Sequence, residues 1–234
     1  MNIARFGAVF DLDGVIVRSD RLHQEAWVRT VANRHGTPGR TIDFLRQISG
    51  QSTTAAARGL FPELAASDAG IKSIVDEKNR IYDALLRQEL LTAPEKLKVP
   101  GVCELIRQLA DQSVSLALNT SSPASEAETV LSAFGIQHHF SLILTGEVVT
   151  DPKPHPEGYL QAAESLGLLP GQCAGFEDSL PGLTSLNSAG YGLIVAVGSI
   201  LSEEQVRASG LRVDRYIPDF SAFTLKELSC LITV

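Results

Sequence analysis

In the stretch "AVFDLDGVI", Asp11 and Asp13 stand one residue apart, directly after the apolar run Ala8-Val9-Phe10 and directly before Gly14. In an extended chain residues i and i+2 project to the same side about 6.5 Å apart, so both carboxylates face one small volume. Like charges that close repel, and one takes up a proton unless a cation accompanies them. Three more clusters follow apolar runs in the same way: Asn119-Thr120-Ser121-Ser122 after "LAL", Asp151-Pro152-Lys153 after "LILTG", and Glu177-Asp178 after "AGF". Each has a plain structural reading as well. Asp-Leu-Asp-Gly can be a polar turn, Thr120-Ser121-Ser122 and Glu177-Asp178 can cap helices, and Lys153 can be a solvated loop charge.

Brought together, the clusters suit phosphoryl transfer. Asp11, Asp13, Glu177 and Asp178 form a donor set of hard oxygens, which favours Mg²⁺. Lys153 and the Thr120 hydroxyl, with the backbone N–H groups after it, would hold phosphoryl oxygens. One aspartate would attack phosphorus to form an aspartyl phosphate, while the other protonates the leaving oxygen and then activates water.

The elements that must position these residues are readable from the same runs. Short continuous apolar runs separated by helical patterns predict buried parallel strands in an α/β sheet, and ligands bind beyond the carboxyl ends of such strands. Helical spacing is clear from Gly101 to Leu109 and from Ala124 to Phe134, and a further helix should stop at Gly190 before a fifth strand near Leu193 to Val197. Between Ser19 and Lys96 the pattern is helical throughout. One helix is expected from Ser19 or Asp20 to near Gly36 and a long one from about Asp68 to Leu90. The expected fold is therefore a Rossmann-like parallel sheet with helices on both faces, residues 1–18 and 97–234, carrying an all-helical cap inserted after the first strand, residues 19–96. Lys78 falls on the apolar stripe Ile71, Ile74, Val75, Tyr82, Leu85, Leu86 of the long helix, where it either snorkels to water or aims its ammonium into a cleft.

Composition narrows the classes. With 234 residues, 44% apolar, the chain can bury a sizeable core, and a net charge of −7 with a pI near 5.2 argues against nucleic acid or an anionic membrane as partner. Its three cysteines, Cys103, Cys173 and Cys230, have no C-x-x-C spacing, which fits a reduced, cytoplasmic setting rather than a disulfide framework or a zinc site. No secretory leader pattern and no run of roughly 18 apolar residues is present, so an unprocessed protein without a membrane span is expected, as a monomer or weak homodimer.

The four motifs in this order resemble the haloacid dehalogenase superfamily, and within it the β-phosphoglucomutase-like phosphatases that carry a helical cap. "FDLDGVI" is similar to the first motif, "LALNTSS" to the second, "KPHPEGY" to the third and "GFEDSLPGL" to the fourth. The resemblance implies Asp11 as nucleophile, Asp13 as general acid/base, and Thr120 and Lys153 as phosphate ligands. It also implies Mg²⁺ on Asp11, the Asp13 carbonyl and Asp178, with Glu177 close by. "DEKNRIY" is similar to a cap segment whose lysine faces the site, here Lys78, and His23 matches a cap-hinge histidine of the mutase branch. Ser121, Gly50 and Thr53 complete the expected substrate-binding set. Two departures stand out: Arg18 replaces an acidic residue common at the hinge, and Thr53 occupies the position where the mutase cap loop carries a phosphate-gripping arginine, which Arg46 or Arg58 would have to replace.

The expected activity is thus Mg²⁺-dependent hydrolysis of a small phosphorylated metabolite through an aspartyl phosphate, under a cap that closes and sets the substrate. A sugar-phosphate mutase of the β-phosphoglucomutase type is the alternative. Dehalogenation needs neither Asp13 nor a magnesium site, and Schiff-base phosphonate cleavage needs an early cap lysine, whereas the first lysine here is Lys72. A non-enzymatic phosphate-binding switch of the receiver type lacks a helical insert and places its acceptor on a later strand.

Overall fold

The computed structural model describes residues 6–35 and 53–231. Packing divides the chain into two units, one built from Met1–Arg18 and Pro94–Val234 and the other from Ser19–Ala93.

In the first unit six strands form one sheet: β1 (Gly7–Phe10), β2 (Ser115–Asn119), β3 (Leu142–Leu144), β4 (Cys173–Glu177), β5 (Leu193–Val197) and β6 (Arg215–Ile217). Their order is β3-β2-β1-β4-β5-β6 and every pairing is parallel. The order reverses between β1 and β4, and in such sheets the crevice beyond the strand ends at that reversal is the natural place for a ligand. β1, β4 and β5 are buried along their whole length, which explains their unbroken apolar runs. On one face Val9 and Ala117 join Tyr159 and Ala162 of α7 (Glu157–Ser165) and Leu183 and Leu186 of α8 (Leu180–Ala189) in one core cluster. On the other face Phe10 stacks on Phe176 with ring centroids 4.4 Å apart, and Phe176 meets Phe223 edge to face at 5.9 Å. α5 (Val102–Asp111) buries Leu105, Ile106 and Leu109, and α6 (Ala124–Ala133) buries Ala127, Val130 and Leu131, so both expected crossover helices form. The α8 helix ends at Gly190 in the left-handed conformation, φ 76°, as glycine permits at a helix stop.

The second unit contributes α1 (Asp20–His35), α2 (Thr53–Leu60) and α3 (Asp68–Thr92), before the short α4 (Pro94–Leu97) returns the chain to the first unit. Trp27 and Val31 pack with Ala56, Ala57, Phe61, Ile71 and Ile74 to give these helices their own core. Ser67 caps α3 by accepting the Gly70 amide at 3.1 Å, and Glu77 binds both Asn33 and Arg34 of α1. The segments leaving and re-entering the sheet unit lie side by side: the Arg18 amide donates to the Leu97 carbonyl at 2.6 Å and the Val99 amide to the Ile16 carbonyl at 3.1 Å. Among the described residues, no helix is long and apolar enough to cross a membrane.

The core has a built-in alkaline sensitivity. Burial pushes the Cys173 thiol up from 9.0 to about 11, against a smaller downward pull from the Gly7 amide. The unfolded thiol therefore ionises first, so this contribution to stability is complete below pH 9.0 and is lost as the pH rises to about 11. Buried Tyr191 is held well above 10.0 and acts in the same direction. The urea midpoint is expected to fall over this range, less steeply for Cys173→Ala; an identical slope would show that the thiol plays no part.

Candidate active site

Asp11 is the first residue past β1. Its amide donates to the Phe176 carbonyl of β4 at 3.1 Å, so the chain is still in sheet register where the carboxylate emerges. Asp13 follows in a turn closed by Gly14, whose amide donates to the Val17 carbonyl at 2.8 Å. At Gly14 φ is +69°, and a Cβ would sit 1.6 Å from Asp178 Oδ2. Only glycine lets this loop pass so close to the fourth motif.

Lys153 joins three of the motifs. Its ammonium donates to Asp11 Oδ1 at 2.9 Å and to the Asn119 carbonyl at 3.0 Å, and lies 2.6 Å from Glu177 Oε1. Three acceptors thus match its three N–H donors. Glu177 is fully buried and also accepts the Tyr159 hydroxyl on Oε1 at 2.7 Å and the Asp178 amide and Ser179 hydroxyl on Oε2, both at 3.1 Å. A Cβ on Gly182 would fall 2.0 Å from Glu177 Oε1, so α8 can begin against this carboxylate because position 182 has no side chain. Ser179 itself caps α8 through the Gly182 amide at 3.1 Å.

The second motif is tied to the first through hydroxyls. Thr120 Oγ1 accepts the Ser122 amide at 3.0 Å, and Ser122 Oγ donates to Asp13 Oδ2 at 2.6 Å. Ser121 is exposed. None of the three supplies a side-chain cap to α6, whose cap position is Pro123; the Ala124 amide instead donates to Glu147 Oε2 at 3.0 Å.

The electrostatics follow from this crowding. Burial, reinforced by Glu177 and Asp13 and opposed by Lys153, pushes Asp11 up to about 7. Burial likewise holds Asp178 well above the usual carboxylate range, with Asp11, Glu177 and Asp13 adding to the effect. Lys153 would be lowered by burial alone, yet the Asp11 and Glu177 charges raise it above its ordinary value. The site is therefore an excess of negative charge around a single buried ammonium, and a cation added to it would draw the carboxyls back to their ionised forms.

The donors fit such a cation. One oxygen each from Asp11, Glu177 and Asp178 lies within 4.8 Å of the others. Asp178 Oδ2 is buried with no hydrogen-bond partner among the described residues, an orphaned acceptor of a kind rarely left in a protein interior. An all-oxygen carboxylate set suits a hard divalent ion.

In the helical unit, Lys78 is not directed to water. Its Nζ lies 2.9 Å from His23 Nδ1, 4.8 Å from the Tyr82 ring centroid and 6.0 Å from that of Trp27, and His23 stacks on Tyr82 with centroids 4.0 Å apart. The snorkelling alternative is thereby overturned: Lys78 is buried, and His23 and Trp27 of α1 together with Tyr82 of its own helix give the ammonium partners. Thr53 opens α2 and is half-buried. Arg58 is engaged by the Ala65 carbonyl and by Asp68 Oδ1, the latter at 2.6 Å. Gly50 and Arg46 lie outside the described residues. Sequence reasoning placed Ser122 in the second cluster, with a helix cap as its plain reading, but gave neither it nor Tyr159 a role of its own at the site; the tyrosine stood in the third motif, but its partner Glu177 is 18 residues away.

The sheet and its four converging motifs define an α/β protein of Rossmann-like parallel topology with a carboxylate-rich candidate site at the reversal of strand order. Residues 7–190 match the haloacid dehalogenase-like hydrolase family, and the chain belongs to that family. A "Phosphorylated carbohydrates phosphatase" of Thermotoga maritima is 30% identical over 94% of this chain and 98% of its own. The "Beta-phosphoglucomutase" of Bacillus subtilis is 29% identical over 81% and 82%. Among solved structures, a haloacid dehalogenase hydrolase of family IA, variant 3, from Entamoeba histolytica superimposes with a TM-score of 0.83 at 22% identity, covering 98% of this chain and all of that one, which establishes the shared fold. By this membership the chain is a haloacid dehalogenase-like hydrolase, with relatives named as phosphatases and as a phosphoglucomutase.

Proposed function

We propose that the protein is a Mg²⁺-dependent phosphatase of small phosphorylated metabolites, sugar phosphates foremost, acting through an aspartyl phosphate on Asp11. The observation that carries the reading is Lys153, whose ammonium joins Asp11 to the ends of β2 and β4. Asp11 attacks phosphorus in line, Asp13 protonates the departing ester oxygen, and Asp13 then takes a proton from the water that hydrolyses the intermediate. Thr120, Ser121 and Lys153 hold the remaining phosphoryl oxygens. Mg²⁺ would be held by Asp11, the Asp13 carbonyl and Asp178, with Glu177 beside it, and would neutralise charge on the phosphoryl group. Glu177 already accepts donors on both oxygens, so its first service is to hold Lys153 and the start of α8. Residues 19–96 serve as the cap, and Lys78 and His23, with Thr53 and Gly50, are proposed for substrate recognition. Sugar phosphates lead because the Thermotoga maritima relative is named for phosphorylated carbohydrates.

The test is phosphate release from a panel of sugar and nucleotide monophosphates with Mg²⁺ or EDTA. Magnesium-dependent release from sugar phosphates is the expected outcome. No release, with isomerisation of a hexose phosphate when a bisphosphate primer is added, would assign the chain to mutase chemistry instead. That alternative has little support from position 53, a threonine, or from Arg58, which is bound to Ala65 and Asp68.

The metal site has a separate readout. A cation bound by the folded protein alone raises the unfolding midpoint by mass action, roughly 2.7 kcal/mol of added stability at one hundred times the dissociation constant. Mg²⁺ is expected to raise the melting temperature of the wild type and to leave Asp178→Asn unmoved. Equal shifts in the two proteins would remove Asp178 from the ligand set.

A further inference from the structure

Ser122 stands apart from the phosphate-binding residues beside it. It is buried, its amide is fixed on Thr120 Oγ1 at 3.0 Å, and its carbonyl accepts the Gly146 amide at 3.2 Å. Pro123 follows it, which restricts its backbone further. The hydroxyl thus projects from an anchored stretch of backbone, and it donates to Asp13 Oδ2 at 2.6 Å across 109 residues of sequence. A serine before a helix would ordinarily cap that helix; here α6 receives no side-chain cap from it, and the hydroxyl is turned on the carboxyl instead.

We propose that Ser122 is a positioning residue that fixes the rotamer of Asp13, so that the carboxyl oxygen not held by Ser122 carries the proton delivered to the leaving group. The inference rests on the phosphatase reading and adds a role within it. In the first half-reaction a bond forms between an Asp11 oxygen and phosphorus as the bond from phosphorus to the ester oxygen breaks. The proton on Asp13 passes to that oxygen, giving a free alcohol and the Asp13 carboxylate. In the second, Asp13 takes a proton from water as the water oxygen bonds to phosphorus and the bond between Asp11 and phosphorus breaks, which releases inorganic phosphate and restores both side chains. In this role Ser122 acts through its hydrogen bond to Asp13 rather than on phosphorus or the alcohol.

This role predicts a dependence on the leaving group. An alkoxide is a poor leaving group and needs the proton, whereas a nitrophenolate departs without it. The quantity kcat/KM reports steps up to departure of the alcohol, and so isolates the acid role of Asp13 from its later role toward water. A hydrogen bond to a charged group is worth about 1.5–3 kcal/mol, so loss of the serine hydroxyl should lower kcat/KM on an alkyl phosphate by roughly 10- to 100-fold. The experiment compares wild type, Ser122→Ala and Ser122→Thr on glucose 6-phosphate, or the best alkyl phosphate of the panel, and on p-nitrophenyl phosphate. For Ser122→Ala the ratio of alkyl to aryl kcat/KM is expected to fall about tenfold or more, and Ser122→Thr, which keeps the hydroxyl, should restore it. Equal losses on both substrates, a ratio unchanged in Ser122→Ala, or a ratio equally depressed in Ser122→Thr would each overturn the proposal. Should the alanine variant fail to fold, the ratio in Ser122→Cys gives the same test, since a thiol is a weak donor. If the wild type hydrolyses neither substrate, or Asp11→Asn retains activity, it is the phosphatase reading that falls.

Discussion

Asp11→Asn is expected to lose phosphate release on every substrate, by 10⁴-fold or more in kcat, because an amide cannot form the acyl phosphate. The same substitution is expected to leave the fold as stable as before or more so. In the metal-free protein burial and the neighbouring Glu177 and Asp13 raise the Asp11 carboxyl to about 7, which means that the folded structure disfavours its charged form. By linkage, a carboxyl raised in the folded state contributes stability that is present below its ordinary value of 3.8 and is lost as the pH rises through about 7. The asparagine removes that loss and can still accept the Lys153 proton. Thermal unfolding in EDTA between pH 4 and 7 is the measurement: the wild type should weaken across the range more than the variant. A variant that was inactive and clearly less stable at pH 7 would mean that the Asp11 charge supports the fold.

Lys153→Met should do the opposite and damage stability and activity together. Among the described residues, the ammonium is the ion-pair partner of both Asp11 and the fully buried Glu177. Removing one partner of a buried pair typically costs about 3–5 kcal/mol, because it leaves uncompensated charge in the interior. Activity should fall at least 10²-fold through lost stabilisation of the phosphoryl oxygens. Lys153→Arg is not expected to rescue either property. Three acceptors surround a compact ammonium at 2.6–3.0 Å, a geometry that a planar guanidinium cannot reproduce. Adding Glu177→Gln to Lys153→Met should recover part of the stability and none of the activity, as read by urea midpoint and phosphate assay. If the double variant were no more stable than the single, charge imbalance would not be the cause of the loss.

Much of the sheet could be read from the chain because β1, β4 and β5 are buried along their whole length and β2 nearly so, and their runs are therefore largely apolar. The runs at Ala8, Leu116, Leu142, Ala174 and Leu193 all lie in strands. β6 could not be read in this way: unlike β3, the equally short strand Leu-Ile-Leu at the other edge, it begins with exposed Arg215 and carries no apolar run. The titratable members of the site were legible because carboxylates and a lysine in apolar surroundings demand an explanation. Ser122, Tyr159 and the His23 contact of Lys78 were not, because each takes its meaning from a partner 109, 18 or 55 residues away. A hydroxyl beside a helix start carries the local signal of a cap, and only the fold reveals that its acceptor is elsewhere.

The paired segments at Arg18 and Leu97 have a consequence for how such a chain can diversify. Since the two are joined by a backbone hydrogen bond, the 78 residues between them are, to the sheet, a loop whose base is already shut. The entropy of closing a loop grows only with the logarithm of its length, so lengthening, shortening or exchanging this stretch places little new demand on the strands that carry Asp11 and Asp178. A chimaera that keeps residues 1–18 and 97–234 and receives the corresponding stretch of a relative should fold with its carboxylates and Lys153 undisturbed, so that the chemistry is inherited and the choice of substrate is what changes hands.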